Sequence, residues 1–525
     1  MGYYKDLREH IQALEAHGKL VRIKREINKD TELMPLVRWQ FRGLPETERK
    51  AFLFENVVDA RSRKYNIPVL VASHAASREV YAIGLMCKPE DIMEKWAKAQ
   101  MNPIEPSVVK HGPAHEEVHM GKSLLEHGGL DEFPVPISTP GWDNAPYLTC
   151  ANWITKDPEL GISNIGNYRA MIKSQTRTGI ECRTPQDLRS HWEKCRQAGI
   201  PLQAAIVIGA IPAIGLTGAS KFPYEVDEFA AAGGIAGEPI ELVKCKTIDL
   251  EVPATAEIVI EGEMPTDFME REGPMGEDYG YVGEGRMEPY FDVTCITHRR
   301  NAIYNAFISQ FPPAESSKLK QLGSGATLYK FLRYNCGLPV LEVAYNEDCD
   351  SIPYCVMKIK KARPSQTWQV LNAAAAQNTM HKFLVVVDED IDIHDPNAVN
   401  WALSWCVQPH RDIRIIKGML LSWDPSAAPP EEFLHDDIHF ENSAIQIDAT
   451  RKWPYLPISL PKKEFMERAR QIWEEEGLPK LNPRTPWHGY SLGNWAKEYE
   501  EEAELALRGE HYQTGEKLTK GRFKL

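Results

Sequence analysis

Two stretches of the chain carry residues suited to moving protons. Glu270-Arg-Glu272-Gly-Pro-Met-Gly-Glu277-Asp-Tyr-Gly-Tyr281 holds Glu272 and Glu277 on a segment where Gly273, Pro274 and Gly276 work against a regular helix. On such a shaped loop an arginine can keep one acid ionised while burial raises the pKa of the other, as general acid–base chemistry requires. An acidic surface turn is the competing reading. The second stretch is Gly161-Ile-Ser-Asn-Ile-Gly-Asn-Tyr-Arg-Ala-Met-Ile-Lys173. Asn164, Asn167 and Arg169 interrupt the filling expected of a core strand, and Gly166 leaves room for another molecule against the backbone. Along an extended strand, Asn164 and Arg169 lie about 16 Å apart, about the length of a mononucleotide. The alternative is an edge strand with a solvated face.

Three further segments bear on chemistry. Glu241 stands beside Leu242 and Val243, where an unpaired carboxylate is costly to bury; a hard cation or simple exposure would satisfy it. Thr217-Gly-Ala-Ser-Lys-Phe222 is rich in small residues and can bring backbone groups close to a phosphate or ion, but it lacks Walker spacing. His115-Glu116-Glu117-Val118-His119 matches H-E-x-x-H, the pattern of a zinc metalloprotease helix. Gly112-Pro113 and Gly121 bracket it closely, so a solvated linker is expected instead.

The rest of the chain must position these residues. With 525 residues, several domains are expected, each able to bury its own core. A formal charge of -13 argues against general nucleic-acid binding. The ten cysteines are scattered without a C-x-x-C pair, which fits reduced thiols in a cytoplasm. No signal peptide is evident, and the most apolar run, Ala204–Leu216, is too short to span a membrane.

Leu7, Ile11 and Leu14 make a helix over 4–17, followed by strands at 20–27, 51–57 and 68–72 and helices near 77–86 and 88–99. Strands are expected at 147–155, 164–173, 204–211, 256–262 and 291–298, with a helix starting at Thr184-Pro-Gln and ending before Gly199. After Phe311-Pro-Pro313, helices (318–335, 366–377, 396–407) alternate with strands (339–346, 355–361, 382–388, 412–417), and two charged helices follow over 461–509. The acidic run Asp388–Asp395 lacks the glycine and the terminal glutamate of an EF-hand loop.

Taken together, several motifs in order resemble the UbiD family of prenylated-FMN-dependent decarboxylases. They are Phe133-Pro-Val-Pro-Ile137, Ile154-Thr-Lys-Asp-Pro158, Asn164-Ile-Gly-Asn-Tyr-Arg169, Pro239-Ile-Glu-Leu-Val-Lys244, Val252-Pro-Ala-Thr-Ala-Glu-Ile-Val259, Glu272-Gly-Pro-Met-Gly-Glu277 and Ile447-Asp-Ala-Thr-Arg-Lys452. The resemblance implies an α+β multidomain chain. Its parts would be an N-terminal α/β domain (1–110), a central split β-barrel that binds the flavin (111–312), a C-terminal α/β oligomerisation domain (313–460) and a helical extension (461–525).

It also implies reversible, non-oxidative decarboxylation of an aromatic or α,β-unsaturated carboxylic acid. Arg169, Glu272 and Glu277 would form the catalytic set, with Glu277 as proton donor. Asn164, Ile165, Gly166, Asn167, Tyr168, Arg169, Gln186, Gly218, Ala219, Ser220, Lys221 and Glu241 would surround the cofactor. Asn164, Asp187 and Glu241 would hold a divalent metal, Mn²⁺ or Fe²⁺, with K⁺ nearby. The family's third metal ligand is often His; Asp187 stands at that position, with His191 one turn later. A phosphate-binding Lys of cinnamic-acid-type members is replaced by Ala373-Ala-Ala-Ala376. Either the phosphate is held otherwise, or the pocket is opened for a larger acid such as a CoA thioester. A flavin prenyltransferase would supply the cofactor, and the chain would form a homo-oligomer, dimer to hexamer. The rivals are the metalloprotease and a catalytically silent flavin-binding assembly subunit.

Overall fold

The amphipathic stripe of Leu7, Ile11 and Leu14 forms the helix Leu7–Ala16, started by Asp6, whose carboxylate accepts the Glu9 N–H at 3.0 Å. This is a computed structural model, and it describes residues 2–182, 186–224, 226–378, 380–419, 426 and 442–521. The helix packs on a four-stranded sheet ordered Leu20–Ile23, Ala51–Phe54, Val69–Val71 and Tyr304–Ala306. Its last strand, paired parallel to Val69–Val71, comes from the far side of the central sheet in sequence and ties the two layers together.

The central sheet has nine strands. Eight follow one path: Ser163–Asn167, Asn152–Lys156, Leu202–Ile208, Ile258–Met264, Tyr290–His298, Arg177–Gly179, Ala170–Ser174 and Tyr147–Leu148. Glu117–Met120 pairs antiparallel with Tyr290–His298. The expected single strand over 164–173 is therefore two, the first and the seventh of this path, joined only through Tyr168 and Arg169. In a flat sheet those strands would lie about 29 Å apart. Two connecting residues reach only about 10 Å, so the sheet must curl into a half-barrel.

The C-terminal unit is a five-stranded sheet, ordered Val340–Asn346, Ser351–Ile359, Phe383–Asp388, Asn442–Ala449 and Ile413–Met419, with helices Ser365–Gln377 and Pro396–Cys406. The expected helix over 318–335 is interrupted by π-turns at Lys320–Ser324 and Phe331–Asn335. The helix Glu228–Ala236, capped by Asp227 and apolar after its first residue, has no amphipathic stripe because it is buried on nearly every side. One hydrophobic core runs from Tyr3 through the central sheet to Ala444 and fuses the units.

Residues 461–521 form three helices, Lys463–Glu475, Lys497–Leu507 and His511–Lys520, none with a buried residue. The third lies beyond the two helices expected over 461–509. No helix among the described residues is long and apolar enough to cross a membrane.

Two expectations are corrected here. The H-E-x-x-H segment is neither a zinc helix nor a solvated linker: His115 ends a 3₁₀ turn, and His119 lies buried on the strand Glu117–Met120, so the two rings do not share a helical face. The Ala373–Ala376 run lies within the helix Ser365–Gln377 and turns Ala374 and Ala375 into the core, so it does not widen a pocket. The start of the helix over 187–198 at Thr184-Pro185 lies outside the described residues.

Candidate active site

The two-residue joint of the half-barrel places Arg169 on the wall of a cavity of about 530 Å³ between the central sheet and the C-terminal unit. Its guanidinium forks onto Glu272, with Nε donating to Oε1 at 3.0 Å and Nη2 to Oε2 at 2.7 Å. Nη1 reaches Glu277 Oε1 at 2.5 Å and Glu181 Oε2 at 2.9 Å. Burial works against the arginine's charge, but Glu277 and Glu272 outweigh it and hold its pKa above the ordinary value.

The loop carrying the acids is built from short ribbons. Glu270–Glu272 pairs with Arg286–Glu288, Gly273 turns the chain at φ 82°, and Met275–Gly276 pairs with Val282–Gly283. Asp143 fixes this loop by accepting the Gly276 N–H at 2.8 Å, and burial raises its carboxyl above the usual range.

Asn164, Asp187 and Glu228 form a second cluster of oxygen donors on the cavity wall and also border a small recess with His191 and Tyr224. All three are at most 9% exposed. Asp187 accepts Lys221 Nζ at 2.7 Å. Glu228 accepts the Ile165 N–H, yet burial pushes its carboxyl well above the usual range, which a nearby cation would reverse. The Asn164 amide nitrogen has no hydrogen-bond partner among the described residues. This donor set suits a hard divalent ion. His191, which does not line the main cavity, is held elsewhere: Nδ1 is 2.9 Å from Thr155 Oγ1, Nε2 is 3.9 Å from Asp157, and burial lowers its pKa to about 4.

Of the residues expected around a cofactor, Ile165, Gly166, Asn167, Tyr168, Gln186, Gly218, Ala219, Ser220 and Lys221 all line this cavity. Gly166 lines the cavity as expected and is constrained from a second side, since a Cβ there would clash with the Tyr168 ring. Glu241 is a correction. It points outward from the strand Glu241–Lys244, which pairs with Glu251–Pro253 and Ser107–Val108, and it does not line the cavity. Glu228 occupies the place beside Asn164 instead.

Sequence reading also missed Glu181 and Lys320. Lys320 lines the cavity from a π-turn, the irregularity that often marks functional sites. Asp278 and Asp350 sit 2.5 and 3.0 Å from its ammonium. The only local signal for Glu228 was a carboxylate heading an otherwise apolar helix.

Comparison with known proteins identifies the family to which this fold is similar. Residues 107–312 match the UbiD family model described as the 3-octaprenyl-4-hydroxybenzoate carboxy-lyase Rift-related domain. Residues 11–100 and 321–449 match the corresponding N-terminal and C-terminal domains. An uncharacterized protein of Aquifex aeolicus is 32% identical over 513 residues, covering 91% of this chain and 100% of the relative.

Among solved structures, the UbiD-class enzyme HmfF from Pelotomaculum thermopropionicum in complex with FMN is similar at TM-score 0.76 and 30% identity, covering 89% of this chain and 99% of that one. An evolved dimeric form of HmfF in complex with prFMN gives TM-score 0.74 at 30% identity, covering 87% and 97%. Vanillic acid decarboxylase of Sedimentibacter hydroxybenzoicus in its closed form gives 0.77 at 26% identity, covering 90% and 100%.

Proposed function

The chain belongs to the UbiD family, and we propose that it uses prenylated FMN to remove CO₂ reversibly from an aromatic or α,β-unsaturated carboxylic acid. The observation that carries this reading is the Arg169 guanidinium, which grips Glu272 with two hydrogen bonds and touches Glu277 and Glu181 on one cavity wall. The free acid is favoured over a thioester, because Ala374 and Ala375 feed the core rather than the cavity.

Bound prenylated FMN would supply the electron sink that loss of CO₂ requires. Asn164, Asp187 and Glu228 would hold Mn²⁺ or Fe²⁺ against its phosphate, with K⁺ nearby, while Lys221 and the small residues 218–220 approach the same anion. HmfF, in complex with FMN or prFMN, supports that occupant. Arg169 orients the substrate carboxylate, and Glu272 holds the arginine in place through its fork. Glu277 delivers a proton to the carbon that CO₂ has left. Met275, Phe307 and Leu319 offer apolar surface to the ring of the acid and keep water from it. High bicarbonate would run the reaction toward carboxylation.

A flavin prenyltransferase would supply the cofactor. The exposed apolar residues of the C-terminal helices, Phe465, Ile472 and Tyr499 among them, favour assembly with further copies, as a dimer or up to a hexamer. The ten free thiols fit a reducing cytoplasm.

The test is co-expression with a flavin prenyltransferase, mass spectrometry of the released ligand, metal analysis, and exchange of labelled bicarbonate into a panel of aromatic and unsaturated acids. Prenylated FMN, a divalent metal and exchange into at least one acid are expected. Bound cofactor without exchange into any acid would instead indicate the silent-subunit reading.

A further inference from the structure

We propose that His119, His127 and Glu132 form a second metal site, separate from the catalytic cavity, that takes a divalent transition cation of the zinc class. Each residue offers one ligand atom, and these atoms all lie within 4.8 Å of one another. None of the three lines the catalytic cavity.

Three successive elements bring them together. His119 is on the strand Glu117–Met120, His127 follows the helix Lys122–Glu126, and Glu132 ends the 3₁₀ turn Gly129–Glu132. Gly128 and Gly129 have φ of 92° and 56°, and this left-handed pair folds the chain back so that Glu132 meets His119. The His119 and His127 rings stack with centroids 3.8 Å apart and planes 13° from parallel. Glu132 Oε2 lies 3.1 Å from His119 Nδ1.

A third imidazole stands behind the carboxylate. His298 Nδ1 is 2.8 Å from the Arg299 carbonyl, which can only accept, so that nitrogen carries the hydrogen. Its Nε2 lies 3.3 Å from Glu132 Oε1, on a side chain only 10% exposed. A protonated His298 would donate through Nε2 to Glu132, and a donor of this kind behind a ligating carboxylate is a common outer support.

Two imidazoles and one carboxylate, with a position left open, make a borderline donor set of the zinc type, whereas Mg²⁺ and Ca²⁺ favour oxygen throughout. The ion would tie the strand Glu117–Met120 to the turns over 127–132 that follow it. It gives no peptidase centre, since Glu116 is engaged by the Arg300 N–H at 2.8 Å and His115 lies outside the group.

The test uses full-length, chelator-treated protein. Zn²⁺ is titrated by calorimetry, and Co²⁺ is added in parallel for its tetrahedral visible bands. The variants are His127→Ala, whose side chain is exposed, and Glu132→Gln, with Asp187→Asn marking any metal held in the catalytic cavity. Wild type and Asp187→Asn should each bind one equivalent here and show the Co²⁺ bands. His127→Ala and Glu132→Gln should lose that equivalent, or bind it at least about tenfold more weakly, while retaining decarboxylation. No uptake by the wild type, or unchanged stoichiometry and affinity in His127→Ala, would overturn the assignment. Neither result depends on the decarboxylase reading.

Discussion

Arg169→Met removes the guanidinium shared by Glu181, Glu272 and Glu277 and keeps an unbranched side chain in its place. Their side chains are 15%, 2% and 14% exposed, so water does little to replace the lost cation. Breaking a buried ion pair from one side typically costs about 3–5 kcal/mol. In a unit of about 200 residues each kcal/mol moves Tm by about 2–4 °C, so a fall of about 6–20 °C is expected at neutral pH.

The sign of its pH dependence follows from linkage. Without the arginine, three poorly hydrated carboxylates face one another with no cation between them, and protonation relieves that repulsion. The variant is then least impaired at acid pH and loses more stability as pH rises. The deficit against wild type should widen from pH 5 to pH 8. The assay is thermal unfolding of both cofactor-free proteins at pH 5, 6, 7 and 8 and constant ionic strength. A deficit below about 2 °C, or one that stays level across this range, would refute the shared-cation account. Arg169→Lys should fall between, because an ammonium cannot reproduce the fork.

Glu277→Gln should lower kcat by about 10²–10⁴-fold while flavin absorbance persists; a variant that keeps most of its turnover would remove the proton-donor role. Glu228→Gln should lose divalent metal and flavin together in analysis of purified protein, whereas Glu241→Gln should keep both because that side chain is exposed. Asp157 is buried, yet its hydrogen bonds from Lys194 at 2.7 Å, from Tyr224 and from two backbone N–H groups hold its carboxyl well below the usual range. Its stabilisation is therefore present above pH about 4 and disappears as pH falls, so the Tm deficit of Asp157→Asn should be large at pH 7 and shrink below pH 3.

Much of this architecture was legible because burial writes simple patterns. The stripe of Leu7, Ile11 and Leu14 and the apolar runs at 204–208 and 291–298 fixed elements close to those observed. Arg169 stood out as a polar interruption of a strand and Glu272 and Glu277 as acids on a Gly/Pro-shaped loop, but their grouping as one catalytic set came from the family resemblance.

The failures have physical causes. Glu228 was hidden because a helix buried on nearly every side has no periodicity, and its neighbours in space, Asn164 and Asp187, are far away in sequence. Glu241 drew notice through its apolar neighbours, but Leu242 and Val243 enter the core while Glu241 turns out. Gly166 does line the cavity, but only three-dimensional packing shows that the Tyr168 ring also requires a glycine there. The break at Tyr168-Arg169 was invisible too, since nothing local says that one continuous stretch serves two distant places in a sheet.

That break has a consequence for how the chain reaches its working state. Arg169 meets Glu272 and Glu277 across sequence separations of 103 and 108 residues, and only after strands at opposite ends of the sheet path have been drawn together. Contacts of such range are slow to form. The centre cannot mature piecemeal: a chain with its outer strands unpaired has no partial active site, since its arginine and its acids lie on separate pieces. A cofactor that binds only the closed form would pull this late step forward by mass action. Cells short of cofactor should then hold less folded protein as well as less active protein.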